Sequence, residues 1–387
     1  YKPYPAYKDS GVEWIGRVPE HWGVKAFKRL ASIRNGQDYK DVADPGGAYP
    51  VIGSGGEFAR ASSFMFDGES VLLGRKGTID KPLYINGPFW TVDTMFYTTI
   101  ANDAFPRFVY YSALTIPFGL YSTNTALPSM TGEDISSHVI AAPEFVEQKA
   151  IARVLDRETS RIDALITKKT RFIELLKEKI VALASQPADS PNLKWVRLSH
   201  VCEVISRPVL QKAGSSYTKL GLFNRGRGIF KRDETDTEDM GDSEFFWVQP
   251  GDLVISGQFA WEGAVALANE NHAGCVVSHR FPVIRGRKNG VLTEYLLAYF
   301  WTIHGDFVLN DCSRGSAGRN RPLNMNLLLG WKIPVPSMQI QREVARLVQL
   351  ERQIGERVNK SIALLRERRS TFITAAVTGQ IDLRDEA

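Results

Sequence analysis

At 387 residues the chain is too long for one ordinary hydrophobic core and suits two domains of about 100–200 residues each. With 43% hydrophobic and 24% charged residues, no apolar run of about 18 residues and no apolar signal core behind Tyr1-Lys2-Pro3-Tyr4, it reads as a soluble, cytoplasmic protein that neither spans a membrane nor is secreted. The net charge is only +5, and the three cysteines (Cys202, Cys275, Cys312) are isolated, which argues against a disulfide framework or a structural zinc site.

Residues 1–21 form an irregular lead-in, KDSGVEWIGRVPEHW, in which Pro19 and Gly23 break any helix. From 22 to 142 strand signals mix with one or two helices. SVLLG (70–74) and TVDTMFYTTI (91–100) are β-rich, and FPRFVYYSALT (105–115) reads as a helix opened by Pro106. A long helix with a heptad-like stripe follows over about 147–186. Its seam is Leu155, Ile162, Ile166, Ile173, Leu176, Ile180 and Leu183, interrupted by Lys169.

From 193 to 335 the same order returns. DLVISG (252–257) matches SVLLG, CVVSHRFPVI (275–284) the second strand signal and TEYLLAYFWTI (293–303) the helix. A second long helix then covers about 339–380, with Val344, Leu347, Ile354, Val358, Leu365 and Phe372 on its seam and Glu351, Ser361 and Arg368 interrupting. PEFVEQKAIARVLDRETSRIDALI at Pro143 and PSMQIQREVARLVQLERQIGERVN at Pro336 lie 193 residues apart, which marks an internal duplication. The expected fold is α+β: two similar mixed α/β domains separated by two long helices, paired as an antiparallel coiled coil about a pseudo-twofold axis. The alternative is two helices packed separately, each on its own domain.

Charge concentrates on the helices. They carry +3 over 147–186 and +4 over 339–380, leaving about −2 for the rest, so a helix surface could lie along a nucleic acid or simply be solvated. There is no G-x-x-x-x-G-K-[ST], no H-E-x-x-H and no G-x-S-x-G, and no Asp/Glu pair stands out, so catalysis in this chain is not expected.

KDSGVEWIGRVPEHW, then a variable stretch, then P-x-x-x-EQKAIARVLDRETSRIDALI with FIELLKEK, and distally LLRERRSTFITAAVTGQIDL, closely resemble the specificity subunits of type I restriction–modification systems over essentially the whole chain. The resemblance implies a lead-in (1–21), a first target-recognition domain (22–142), a central conserved helix (143–186), a second target-recognition domain (193–335) and a distal conserved helix and tail (336–387). It implies that each recognition domain reads one half of a bipartite, asymmetric DNA site, and that the paired helices fix the spacer. The subunit itself would be non-catalytic. It would recruit two methyltransferase subunits and, through them, the restriction/translocase subunits, with S-adenosylmethionine, ATP and Mg on those partners and no cofactor in this chain. The chain departs from the family pattern after FIELLKEK, running directly through SQPADSPNLKWVRL without a second V-E-W-I-G lead-in.

DNA reading needs donors and acceptors on loops, and cations that grip phosphates. The candidates in the first domain are Arg75, Lys76, Thr78 and Lys81 in the loop after SVLLG, and Ser122, Asn124 and Thr125 (with Thr123) in a second polar loop. In the second domain they are Gln258 and Trp261, then Ser313, Arg314, Ser316, Arg319, Asn320 and Arg321. For Trp261 packing is as natural a role as contact. The segment 233–244, DETDTEDMGDSE, carries seven acidic residues without a counterpart in the first domain. It is expected to be a surface loop facing away from phosphate or toward a partner. The rival readings are a coiled-coil scaffold that binds only proteins and a self-contained nuclease or methyltransferase.

Overall fold

The structure is a computed structural model that describes residues 1–122, 128–185, 193–241, 243–288, 290–315 and 321–384. The chain divides into two compact units, 1–167 with 361–387, and 168–360.

In the first unit a mostly antiparallel six-stranded sheet runs in the order Ala31–Asn35, Met95–Ile100, Phe66–Gly74, Leu83–Thr91, Tyr49–Gly53, Gly56–Ala61. Helix Pro106–Ala113 packs on it. Proline at its first position suits a helix start, since that N–H has no intrahelical acceptor. Val71, Leu73, Phe96, Val109 and Ile135 are buried between these layers. In the second unit a sheet of order Cys202–Ile205, Val283–Gly286, Leu253–Ile255, Val265–Leu267 repeats the first four strands of that arrangement. A separate sheet runs Ile229–Asp236, Ser216–Leu222, Val276–Ser278, Phe245–Trp247. Helix Thr293–Phe300 covers the core here, with Tyr295, Leu296 and Tyr299 buried.

The long helices are Phe145–Ser185 and Met338–Val377. In the first unit the amino-terminal part of one lies antiparallel to the carboxy-terminal part of the other: Ile151 and Leu155 share a core with Ile373, Ala376 and Val377, and Asp163 pairs with Arg369 at 3.0 Å. In the second unit Leu176, Ile180 and Ala184 pack with Val344 and Val348, and Lys177 pairs with Glu351 at 3.6 Å. The first seam is largely as its heptads predict. The second is offset from the expected line: Val344, Val348, Glu351, Gly355, Ile362 and Ile373 are buried, while Leu347, Ile354, Val358, Leu365 and Phe372 are only partly so. Glu351 lies on the buried line because Lys177 neutralises it there.

The duplication extends to individual hydrogen bonds. Gln148 is buried, donates to Pro143 O at 2.9 Å and accepts from Phe105 N at 2.8 Å, just before helix Pro106–Ala113. Its counterpart Gln341 donates to Pro336 O at 3.0 Å and accepts from Leu292 N at 2.9 Å, just before helix Thr293–Phe300. In both units the strand before the long helix pairs antiparallel with the strand that opens the domain, Val139–Ala142 with Gly23–Ala26 and Lys332–Val335 with Lys194–Arg197.

Three further expectations need correction. The lead-in is ordered: Tyr7–Asp9 and Arg17–Pro19 form a hairpin, and Tyr4, Ile15, Val18 and Trp22 are buried against both long helices of that unit. The β-rich stretches 91–100 and 275–284 are not single strands. Each holds a turn, closed by Met95 N to Val92 O and by Phe281 N to Ser278 O, both 2.9 Å. The acidic segment is not wholly a loop, because Asp233–Asp236 continue the edge strand Ile229–Asp236, where Asp233, Glu234 and Asp236 are exposed.

Candidate nucleic-acid interface

In the first unit strand Phe66–Gly74 carries Val71, Leu72 and Leu73 through the core and leaves it at Gly74. A Cβ at Gly74 would collide with the Thr78 carbonyl oxygen, and Gly77 sits at φ +82°, so the loop doubles back at once. Buried Ile79 staples it to the core. Arg75 N donates to Thr94 O at 2.8 Å, its guanidinium donates to Asp93 O at 3.3 Å, and the same group lies 5.9 Å from the Phe96 ring. Lys76, Thr78 and Lys81 are exposed.

The two loops expected separately form one rim. Lys76 bridges to Ser129, Gly77 N donates to Pro128 O at 2.9 Å, and Met130 N donates to Arg75 O at 3.1 Å. Ser122 is half-buried, with its hydroxyl 3.5 Å from Gly119 O; Asn124 and Thr125, with Thr123, lie outside the described residues. Behind the rim is a cavity of about 310 Å³ lined by Asn35, Arg75, Lys76, Tyr121, Thr131 and Asp134 among others. The Asp134 carboxylate is committed to capping its own helix, accepting from Thr131 Oγ1 at 2.6 Å and Thr131 N at 3.2 Å, so Arg75 and Lys76 set the sign of the opening. Tyr121 meets His138 Nδ1 at 2.7 Å. Burial pushes the His138 imidazole down to about 4, keeping it neutral.

The second unit builds its rim by a similar route. Two residues after strand Leu253–Ile255 comes Gly257, where a Cβ would press on the Arg280 carbonyl oxygen, and Gln258 follows, exposed. Leu323 N donates to Gly257 O at 2.8 Å and Ser313 bridges to Leu323, bringing the 258–261 turn beside Ser313 and Leu323. Trp261 is half-buried: its indole N–H donates to Gln258 O at 3.1 Å, its carbonyl accepts from Asn310 at 3.1 Å, and the Arg321 guanidinium lies 5.0 Å from its ring. Trp261 therefore serves first as a platform that positions Arg321. Ser313, expected to reach outward, is 2% exposed, because its bridge to Leu323 draws the chain inward there. Arg314 is exposed but folded onto Asp311 at 2.5 Å. Ser316, Arg319 and Asn320 lie outside the described residues, and Arg321 is exposed.

Two features have no motif in the sequence. Asn35 ends a strand with an alternating buried and exposed pattern and joins Arg75 in the cavity lining. In the second unit Asp252, fully buried, is held by Arg207 at 2.7 Å, Arg285 at 2.5 Å and Gln249 N at 2.7 Å, which locks the base of strand Leu253–Ile255. The Gly-acid step at Gly251-Asp252 was the available signal. The thiols are buried, and burial pushes those of Cys202 and Cys312 up to about 11, which suits packing rather than reactivity. No helix among the described residues is long and apolar enough to cross a membrane.

No curated protein sequence matches the chain. Its fold is that of the type I restriction-modification system S subunit from M. genitalium, with a TM-score of 0.55 at 16% identity, over 93% of this chain and 96% of that one. It is equally similar to a chain from a structural study of complex assembly and conformational transition of the type I R-M system, with a TM-score of 0.56 at 15% identity, over 94% and 99%. Residues 19–175 match the family of type I restriction modification DNA specificity domains, and they are the stretch that builds the Arg75 rim and the first part of the long helix behind it. Over residues 19–175 the chain is thus similar to a type I restriction modification DNA specificity domain.

Proposed function

We propose that the chain is a non-catalytic DNA-specificity subunit of a type I restriction–modification complex in which each unit reads one half of a bipartite, asymmetric site. The observation that carries this reading is the paired rim. In each unit a tight glycine turn after a buried strand is bonded to a second, distant loop, and cations or amides stand on the result. The framework repeats to the level of Gln148 and Gln341, while the rims carry different side chains, as two readers of different half-sites require. On this reading 22–142 and 193–335 are the recognition domains. The contacts come from Arg75, Lys76, Thr78, Lys81, Ser122, Asn124 and Thr125 on one side, and from Gln258, Arg314, Ser316, Arg319, Asn320 and Arg321 on the other. The long helices, each about 60 Å at ~1.5 Å per residue, set the unread spacer and seat two methyltransferase subunits. Restriction/translocase subunits join through these, in the cytoplasm. S-adenosylmethionine, ATP and Mg belong to those partners.

The test is selection of duplexes from a random pool by the chain assembled with its methyltransferase subunits. A split consensus is expected. Arg75→Ala and Arg319→Ala should each disturb one half only, by about 1–3 kcal/mol at one position for base readout and uniformly for phosphate contact. Binding indifferent to sequence would favour a protein-binding coiled-coil scaffold, and methyl transfer or cleavage by the chain alone would remove the non-catalytic assignment.

A further inference from the structure

The cavity behind the first rim assigns a role to a residue outside the rim loops. Strand Ala31–Asn35 pairs antiparallel with Met95–Ile100 in the register Ala31–Ile100, Ile33–Thr98, Asn35–Phe96. Side chains two apart on a strand share a face, and residues opposite each other across a pair share it too. Ala31 and Ile33 belong to the core on that face, and Phe96 is buried there under the Arg75 guanidinium. Asn35 is the next residue in the row and emerges at the cavity mouth with Arg75 and Lys76. It is exposed, and its amide has no hydrogen-bond partner among the described residues.

The backbone beneath Asn35 is rigid. Gly36 is buried, and a Cβ there would collide with the Val92 carbonyl oxygen. Gly36 N donates to Met95 O and Gln37 N to Thr91 O, both at 3.0 Å. A short side chain on a fixed backbone presents its amide with little entropy left to lose. The amide carries one acceptor and two donors beside a guanidinium already oriented by Asp93. Adenine in the major groove offers the complementary N7 acceptor and N6 donor, which Asn meets in a bidentate pair. In the second unit the equivalent strand, Cys202–Ile205, leads instead into Arg207, which is turned to the buried Asp252. The feature therefore belongs to the first unit alone.

We propose that Asn35 is a specificity-determining residue of the first unit, reading an adenine edge within the half-site served by Arg75. The inference rests on the DNA-reading function proposed above. The experiment compares wild type, Asn35→Ala and Asn35→Asp, each full-length with the methyltransferase subunits, on randomised duplexes, with the second half-site as internal control. Asn35→Ala should lower discrimination at one adenine-containing position of one half-site by about 5- to 100-fold and leave the other half unchanged. Asn35→Asp, which keeps size but loses both donors, should shift preference at that position toward cytosine, whose N4 donates. An unchanged profile, or a uniform loss over all sequences, overturns the assignment while leaving the split site of the wild type intact. A wild type that selects no sequence overturns the DNA-reading function itself.

Discussion

Replacing Gln148 with Leu keeps the volume of a buried side chain and removes its hydrogen bonding. Two partners are stranded: Pro143 O, which is buried, and Phe105 N, half-buried at the start of helix Pro106–Ala113. A third bond, to Asp103 O at 3.4 Å, is too long to weigh. Each stranded buried group costs about 1–3 kcal/mol, and the half-buried one belongs at the lower end. The expected loss is about 2–4 kcal/mol in the first unit. Gln341→Leu strands Pro336 O and Leu292 N and should cost the second unit a similar amount. Hydrogen exchange resolved by peptide distinguishes the two, since a loss of about 2 kcal/mol accelerates globally protected amides by about 30-fold. Gln148→Leu should accelerate the 105–113 segment and leave 292–300 alone, and Gln341→Leu the reverse. Equal acceleration of both segments by either substitution, or a change below about threefold, would refute the view that these two glutamines are equivalent local anchors.

Three other expectations follow from single contacts. Asp252→Ala leaves Arg207 and Arg285 without their shared carboxylate and should destabilise the second unit by about 3–5 kcal/mol in urea denaturation. By contrast, Lys177→Met with Glu351→Leu replaces a largely desolvated ion pair on the helix seam by apolar contact, and should leave the denaturation midpoint equal or higher. The His138 imidazole titrates at about 4 in the folded protein and about 6.5 unfolded, so folding disfavours its protonated form. Its contribution is intact above pH 6.5, falls as pH drops, and is spent below about 4. The loss at pH 5 is about 2 kcal/mol, and His138→Phe should flatten that part of the stability–pH curve of the first unit.

Much of the frame was legible because it is local. Heptad spacing, the Pro106 start and the 193-residue offset each concern residues close in sequence or repeated in register. The misreadings have common physical causes. On the second long helix Glu351 counted as a break in an apolar line, yet it is buried on that line, where Lys177 neutralises it. The stretches 91–100 and 275–284 are continuous in β-formers, but each carries a turn that only pairing across sheets explains. Ser313 looked like a loop residue by composition, and a single bridge to Leu323 buries it. The junction of Lys76 with Ser129 joins loops far apart in sequence, and Asn35 joins Arg75 only through strand register. Such contacts have no periodicity to read.

What the duplication kept and what it released can be separated at one pair of positions. Helix Pro106–Ala113 reaches the long helix of its unit through Arg107, which pairs with Asp156 and lies 4.5 Å from the Tyr84 ring, while Tyr111 donates to the same carboxylate at 2.7 Å. At the matching place in the second unit Gln349, the counterpart of Asp156, donates to Glu294 at 3.3 Å. The contact survives with its charges exchanged for a weaker amide–carboxylate bond. Gln148 and Gln341 did not diverge, because they satisfy backbone groups whose positions any version of the fold must repeat. A side chain that answers the backbone is fixed by the fold. One that answers another side chain can change with its partner, and one that answers neither, as exposed Lys76 and Gln258 on the two rims, is free to differ.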